Sequence, residues 1–313
     1  MNKTRGYITV AENSASGDYL RMAYALALSL KVSQTEVDKL AVCISPGMEV
    51  PNKYAAVFDE VIEMPTWAAA MDSDWKIHNK WKVYSLTPYE ESVLLDADMI
   101  FPADVSCWWN TLHDKHVWAC STPVTFRGEP IRQSKYRADF TRNSLPNIYT
   151  AFLYFKQSEF AHEYFNLVRD VYQNWSMLRK YYDLRKMEDG VLDAMNEMKH
   201  PDRFRWSHFF QSFPSYISGD LTFSVAMKIM GSVDQFTDID VPFPSFVHMK
   251  SKDQGFECVE NMEENWNLFL QSDILEDGTL LVGNYVQRLP FHYHRKEFLT
   301  DMMIERLESL ANV

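Results

Sequence analysis

The sequence lacks the segments that mark membrane-spanning and secreted proteins. It contains no run of about 18 apolar residues, so no transmembrane helix is predicted. The N-terminus, MNKTRGYITV, passes directly into a strand-like segment, without the long apolar stretch of a signal peptide. These absences favour a soluble, cytoplasmic protein.

Cysteine is scarce, and its four positions include no Cys-x-x-Cys pair. This pattern favours small buried side chains in a reducing compartment over a disulfide framework or a zinc site. The cysteines are Cys43, Cys107, Cys120 and Cys258.

Three common catalytic signatures are missing as well. The chain contains no Gly-x-Ser-x-Gly, no Gly-x-Gly-x-x-Gly and no P-loop. Their absence argues against hydrolases with a nucleophile elbow, dinucleotide enzymes and NTPases. No internal repeat or low-complexity tract is present, and 313 residues are enough for a large α/β core.

The net charge of −12 is unevenly distributed. Residues 127–208 carry 14 Lys/Arg against 11 Asp/Glu, whereas the remainder carries 17 against 32. Basic residues mixed with tyrosines can follow a phosphate backbone and stack on bases. A salt-bridged, solvated surface explains the same pattern, and both interpretations stay open. The basic residues in question are Arg127, Arg132, Lys135, Arg137, Arg142, Arg179, Lys180, Arg185 and Lys186.

Strand-like segments alternate with helical patterns in the first third of the chain. This order predicts an α/β fold with a doubly wound, mostly parallel sheet and helices on both faces. The predicted strands are 6–10, 39–44, 57–64 and 92–101, and the predicted helices are 17–32 and 80–86.

The later part of the chain is less regular. Its predicted elements are a strand at 150–155, helices at 159–175 and 188–198, a short strand within 246–250, a β-hairpin about Gly283-Asn284 and a C-terminal helix. We expect one domain over residues 1–250, with residues 251–313 as a C-terminal extension packed on it.

Two carboxylates end a predicted buried strand. Asp96 and Asp98 follow the apolar run Val93-Leu94-Leu95, and desolvating an unpaired carboxylate is costly, so a cation is expected beside them. Mg²⁺ and Mn²⁺ prefer such oxygen ligands and complete their shells with substrate phosphates. Asp-x-Asp also occurs at 72–74 and 238–240, but only this copy follows a strand within the alternating region.

The segment KWKVYSLTPYEESVLLDADMIF resembles the central motif of glycogenin-like glycosyltransferases of the GT-A fold. YITVAENSASGDYLRMAYALALSLK resembles the opening strand, nucleotide-binding turn and first helix of that family, and FVHMK its late strand with a metal-binding histidine. The likeness covers roughly residues 6–250. The matching residues of the central motif are Lys80, Ser85, Leu86, Thr87, Tyr89, Asp96, Ala97 and Asp98.

The resemblance implies transfer of a sugar, with retention, from a nucleotide-diphosphate sugar, above all a UDP-sugar. It assigns Mn²⁺ or Mg²⁺ to Asp96, Asp98 and His248. It places Val10, Ala11, Asn13, Tyr19, Lys80, Ala97 and Lys250 in donor binding. The implied catalytic residues are Lys80 and the acids Glu188 and Asp189 at a helix start, although plain capping of that helix explains the two acids equally well.

Two departures from the family concern the substrates. Tyr149-Thr150-Ala151 stands where the family has a segment of smaller residues near the sugar. The glycine and lysine that the family has a few residues after its metal-binding histidine are absent at those positions, and Lys250 and Lys252 lie nearby instead. The acceptor therefore stays open between a hydroxymethylated DNA base, as in phage DNA-modifying enzymes, a saccharide and a protein. A non-catalytic sugar-nucleotide-binding protein is the alternative function.

His292 and His294 alternate along FHYHRKEF and are expected on one face of a short strand. Metal binding, an aromatic wall for the acceptor and simple packing all explain them, and packing is favoured.

Overall fold

The computed structural model describes residues 4–15, 17–69, 80–131, 137, 140–141, 143–178, 217–231, 236, 244–250 and 271–313. The predicted helix at 188–198 and Cys258 lie outside the described residues. Among the described helices, none has both the length and the apolar character needed to cross a membrane.

The described part of the chain contains short strands and a few longer helices. The strands are β1 (Arg5–Ala11), β2 (Leu40–Ile44), β3 (Glu60–Glu63), β4 (Glu91–Leu95), β5 (Met99–Ile100), β6 (Val117–Cys120), β7 (Tyr149–Lys156), β8 (Val247–His248), β9 (Asp273–Ile274), β10 (Leu280–Val282), β11 (Tyr285–Gln287) and β12 (Phe291–His292). The α-helices are α1 (Tyr19–Ser33), α2 (Asn52–Ala55), α3 (Val83–Leu86), α4 (Trp108–Leu112), α5 (Glu159–Gln173), α6 (Gly219–Met230) and α7 (Asp301–Ala311).

The central sheet has six strands in the order β3-β2-β1-β4-β7-β6. Strands β3, β2, β1 and β4 run parallel, and β7 is antiparallel to both β4 and β6. The prediction of a mostly parallel α/β sheet is confirmed.

Helices cover both faces of this sheet because its buried strands carry apolar side chains on both sides. Val93 and Leu95 of β4 belong to one core cluster, which includes α1 and α7, whereas Leu94 belongs to the other, which includes α5 and α6. Parallel strands that are buried on both faces read as continuous apolar runs. The doubly wound arrangement is therefore confirmed.

A second, three-stranded sheet lies beside the end of β4. Its order is β5-β12-β8, with β12 antiparallel to β5 and parallel to β8. The middle strand thus comes from the C-terminal segment. That segment also forms the predicted hairpin, in which β10 and β11 pair across Gly283-Asn284, and the predicted helix, α7. The division at residue 250 stays a prediction.

Four of the helices begin at side-chain caps. Asp18, Ser158, Ser218 and Thr300 each accept a hydrogen bond from a backbone N–H in the first turn of α1, α5, α6 and α7, respectively. These caps satisfy donors that a helix start leaves without a partner. They fix where α1 and α6 begin, which matters because both helices start next to the site.

Gly6 of β1 packs closely against the ring of Tyr89, just ahead of β4, and provides a test of this contact. A Cβ atom at this position would lie 2.4–2.7 Å from ring atoms of Tyr89, which is itself buried. We therefore expect Gly6→Ala to lower the free energy of unfolding in urea by about 2 kcal/mol, the usual effect of overpacking. Gly17→Ala is the matched control, because its Cβ would meet the flexible end of Met22 at 2.9 Å. Equal effects of the two substitutions would contradict this account of Gly6.

Candidate functional site

Asp96 and Asp98, the acidic pair, lie at the carboxyl end of β4, between the central and the small sheet. The backbone N–H of Asp96 donates to the carbonyl of Ala151 on β7 at 3.2 Å, and the carbonyl of Asp98 accepts from the N–H of Tyr293 at 3.1 Å. Ala97 between them is buried. β7 and the residue that follows β12 therefore hold the backbone on both sides of the pair, at the edge where ligands bind in doubly wound sheets.

In each aspartate, one carboxylate oxygen pairs with a lysine and the other faces His292. Lys80 Nζ lies 2.6 Å from Asp96 Oδ1, and Lys296 Nζ lies 2.6 Å from Asp98 Oδ2. His292 Nε2 lies 3.6 Å from Asp96 Oδ2 and 3.2 Å from Asp98 Oδ1. The two lysines offset the charge of the pair, while the oxygens that remain converge on one imidazole nitrogen.

His248, His292 and His294 form a histidine cluster next to the acidic pair. His248 is paired with His292 across β8 and β12, and His294 Nε2 lies 3.3 Å from His248 Nδ1. The ring centroids of His292 and His294 are 3.9 Å apart. Within the described residues, two groups have donor atoms close enough to share an ion: Asp96, Asp98 and His292, and the three histidines.

The environment fixes the charge of several of these groups. Burial alone would raise the pKa of Asp98, but His292 and Lys296 hold that pKa well below its usual value. Burial lowers the pKa of both His248 and His294 well below the usual value, and neighbouring imidazoles add to the effect. Asp98 is therefore an anion, and His248 and His294 are neutral bases with lone pairs.

The acidic pair fits a divalent cation. Asp96 Oδ2, Asp98 Oδ1 and His292 Nε2 offer two carboxylate oxygens and one imidazole nitrogen, a donor set that Mg²⁺, Mn²⁺ and related ions accept. The sequence predicted His248 as the third ligand. The structure places His292 nearest to the carboxylates and places His248 behind it, against His294.

Several predicted donor residues lie around the amino end of α1. Val10 and Ala11 end β1, and the side chain of Asn13 accepts from the N–H of Leu20 and donates to Asp18, each at 3.0 Å. Tyr19, the first residue of α1, lies under the ammonium group of Lys296, which is 4.8 Å from its ring centroid. The turn after β1 is thus tied to the helix start, and Lys296 connects it to Asp98.

Lys80 and Lys250 are near the site in different ways. Lys80 is buried and, besides Asp96, donates to the carbonyl and hydroxyl oxygens of Thr150, each at 3.2 Å. Lys250 follows β8, and its charge acts on His248 and His294. The structure therefore brings both predicted lysines to this edge of the sheets.

Asp220 is a residue of this region that the sequence analysis missed. It lies in the first turn of α6 and accepts from the N–H and hydroxyl of Thr150 at 2.8 and 2.6 Å. Thr150 joins it to Lys80 and so to Asp96. Ser218 ahead of an apolar run is typical of a helix start, although no helix was predicted there, and nothing local indicates the position of Asp220 beside β7. Glu188 and Asp189, the predicted acids at a helix start, lie outside the described residues.

The structure describes part of the basic region, residues 127–208. Of the nine basic residues named from the sequence, it describes Arg127 and Arg137. Arg127 pairs with Glu129 at 3.2 Å. Arg137 is buried, pairs with Asp220 at 2.6 Å and stacks on Tyr149. Each of these two arginines therefore has an acidic partner within the chain. The remaining basic candidates named above lie outside the described residues.

No family model and no curated protein matches the sequence. Among solved structures, the galactosyltransferase LgtC with donor and acceptor sugar analogues aligns at 12% identity over 98% of this chain and 95% of its own, with a TM-score of 0.43. An active-site mutant of LgtC aligns at 14% identity over 54% of this chain and 64% of its own, with a TM-score of 0.38. The apo form of the glycosyltransferase GlyE of Streptococcus pneumoniae TIGR4 aligns at 12% identity over 99% and 61%, with a TM-score of 0.41.

In two of these three comparisons the chain spans less than two thirds of the other protein. At such identities and TM-scores the likenesses carry no functional argument. The α/β fold class rests on the sheet and helices described above.

Proposed function

We propose that the protein is a metal-dependent glycosyltransferase of the GT-A type, which moves a sugar from a nucleotide-diphosphate sugar to an acceptor hydroxyl. The observation that carries the proposal is the acidic pair at the end of β4, whose remaining oxygens converge on His292. A UDP-sugar is the proposed donor, and transfer with retention of configuration is the proposed stereochemistry, which NMR of the product's anomeric proton would read.

The metal centre is assigned to Asp96 and Asp98, with a histidine ligand from the cluster, His292 by distance and His248 by sequence. A bound Mn²⁺ or Mg²⁺ supplies a Lewis acid that neutralises charge on a leaving diphosphate. The chain's own cations, Lys80 and Lys296, add positive charge beside the carboxylates. They would contact the diphosphate and offset its charge in the same way.

The donor's nucleotide is assigned to the end of β1 and the start of α1, with Val10, Ala11, Asn13 and Tyr19. Asn13 orders the turn, and Tyr19 provides a ring next to Lys296. Ala97 and Lys250 complete the donor site. Lys80 and an acid at a helix start are proposed to contact the donor sugar. Asp220 is a candidate for that acid, beside Glu188 and Asp189.

The acceptor is the least constrained part of the proposal. A hydroxymethylated DNA base would require basic residues that face solvent, and the described arginines of residues 127–208, Arg127, Arg137 and Arg169, are each paired with an acid. Saccharide and protein hydroxyls therefore enter the same assay as DNA. Tyr149, whose ring lies against His248, narrows the space near the metal centre whichever acceptor binds.

The test is diphosphate release from a panel of sugar nucleotides with Mn²⁺, each with and without a chelator. We expect one donor to be turned over, by hydrolysis or by transfer to an added acceptor, and the rate to fall to background when the metal is removed. Restoring the rate with added Mn²⁺ controls for damage by the chelator. Binding of a sugar nucleotide without turnover under any acceptor would contradict the proposal and favour a binding protein. Turnover that resists the chelator would contradict the metal centre.

A further inference from the structure

The histidine cluster contains more nitrogen donors than one carboxylate-bound ion needs. A cation held by Asp96 and Asp98 is already served by His292, whose Nε2 faces both carboxylates. His248 and His294 lie next to it; His248 and His292 are buried, and His294 is half-buried. A buried imidazole nitrogen needs a partner, since buried polar groups without one are costly.

The spacing of the ring nitrogens fits shared coordination. His248 Nδ1 and His294 Nε2 are 3.3 Å apart, whereas two nitrogens that bind one ion at about 2.0–2.1 Å lie roughly 2.9–3.4 Å from each other. A hydrogen bond between the two rings has the same length, and the experiment below separates the two interpretations. His292 Nδ1 is buried and has no hydrogen-bond partner among the described residues.

The backbone conformation of His294 indicates that its side chain is held in a specific position. His294 has φ 50°, in the left-handed region that few non-glycine residues adopt. The chain therefore turns sharply just after β12, and this turn brings the His294 ring against both His248 and His292. Strained backbone of this kind concentrates at functional sites.

We infer that His248, His292 and His294 make this a nitrogen-rich centre, which holds one divalent transition-metal ion on the protein's own side chains before any nucleotide binds. The inference rests on the metal centre of the proposed function but does not require sugar transfer. A centre of two carboxylates alone would need substrate phosphates to complete the shell of its ion. Three additional imidazoles remove that need.

The chemistry of the donors also selects the ion. Imidazole suits Zn²⁺, Co²⁺ and other transition metals, whereas Mg²⁺ prefers oxygen ligands and retains its waters. The centre should therefore bind Co²⁺ or Zn²⁺ in the presence of a large excess of Mg²⁺. Two carboxylates without the histidines would discriminate much less.

The experiment titrates the chelator-stripped, full-length protein with Co²⁺ in the absence of nucleotide, by calorimetry and by the visible absorption of the bound ion. We expect one Co²⁺ per chain, with a spectrum that a large excess of Mg²⁺ leaves unchanged. Co²⁺ uptake that appears only after a nucleoside diphosphate is added would overturn the inference.

His294→Asn tests the cluster itself, because Asn tolerates the left-handed backbone but removes the imidazole. We expect Co²⁺ binding at least tenfold weaker than in the wild type, whereas His162→Asn, on the exposed surface of α5, should leave it unchanged. Wild-type affinity in His294→Asn would overturn the inference. Pulsed EPR of the Cu²⁺-loaded wild-type chain needs no variant, and coupling to a single imidazole or to none would also overturn it.

The two proposals fail separately. A chain that binds Co²⁺ without nucleotide but turns over no sugar nucleotide would reject the proposed function and support the nitrogen-rich centre. A chain that turns over its donor but takes up metal only together with nucleotide would support the function and reject the centre.

Discussion

Asp98→Asn is expected to lower kcat/KM for the sugar-nucleotide donor about 10³-fold and to abolish Mn²⁺-dependent nucleotide binding. The substitution keeps the size of the side chain but removes the charge that holds a cation and pairs with Lys296 at 2.6 Å. The loss of one carboxylate ligand costs about 4 kcal/mol of transition-state stabilisation, since a Lewis acid supplies several kcal/mol and each 1.36 kcal/mol is tenfold in rate. Calorimetry with nucleotide and Mn²⁺ measures the binding part directly.

The fold should survive this substitution. Lys296 is partly exposed, so its ammonium group can turn to water when Asp98 is replaced. Asp114→Asn, an exposed carboxylate in the turn after α4, is the control and should leave turnover unchanged. Unchanged Mn²⁺-dependent binding in Asp98→Asn would show that the acidic pair is not the metal centre.

The elements that support the acidic pair follow from local patterns. The apolar run before Asp96 predicts a buried strand, and β4 ends one residue before it. The helical spacing after the N-terminal strand predicts α1, which begins at the capping residue Asp18. Such patterns depend on neighbours a few residues away, so they can be read from the sequence.

The small sheet could not be predicted in the same way. Strands were predicted at 92–101, within 246–250 and around His292, but two-residue strands from three distant parts of the chain carry no local signal for their pairing. His292 pairs with Met99 on one side and with His248 on the other, so its position depends on strand pairing between distant parts of the chain. The sequence therefore favoured packing for His292, and its closeness to both carboxylates appears only in three dimensions.

Asp220 illustrates a second limit. Ser218 caps α6 and apolar residues follow it, a pattern typical of a helix start, but this helix was not among the predicted elements. The partner strand β7 is about 70 residues away, and no local signal indicates that Thr150 binds the first turn of that helix. The motif resemblance instead assigned the acidic helix start to Glu188 and Asp189.

Asp220→Asn is the second substitution with a large expected effect, and it acts first on stability. Asp220 Oδ2 accepts from the Arg137 guanidinium at 2.6 Å, and Arg137 is only 5% exposed. An asparagine would still accept from the N–H of Thr150 but would remove the negative charge that Asp220 places against the buried guanidinium of Arg137. Because breaking a buried ion pair on one side costs about 3–5 kcal/mol, we expect the free energy of unfolding at pH 7 to fall by about 3 kcal/mol.

The same carboxyl predicts a pH dependence. Burial alone would raise its pKa, but Arg137, Lys80 and the hydrogen bonds from Thr150 lower the pKa of Asp220 from 3.8 to about 2. A lowered pKa stabilises the fold above the unfolded value and ceases to do so as the pH falls towards the folded one. This contribution, about 2 kcal/mol, should be lost between roughly pH 4 and pH 2. Urea unfolding over that range should show the loss in the wild type and not in Asp220→Asn.

Asp301→Asn is a closely matched control. Asp301 also lies in the first turn of a helix, α7, and also pairs with an arginine, Arg21, at 2.6 Å, but its side chain is 91% exposed. Exposed pairs contribute about 1 kcal/mol or less, so this variant should differ little from the wild type. Equal effects of the two substitutions would mean that burial adds nothing to the Arg137 pair. In that case Asp220 would act only as a charge at a helix start. Its link through Thr150 and Lys80 to the acidic pair would then contribute nothing to the free energy of unfolding.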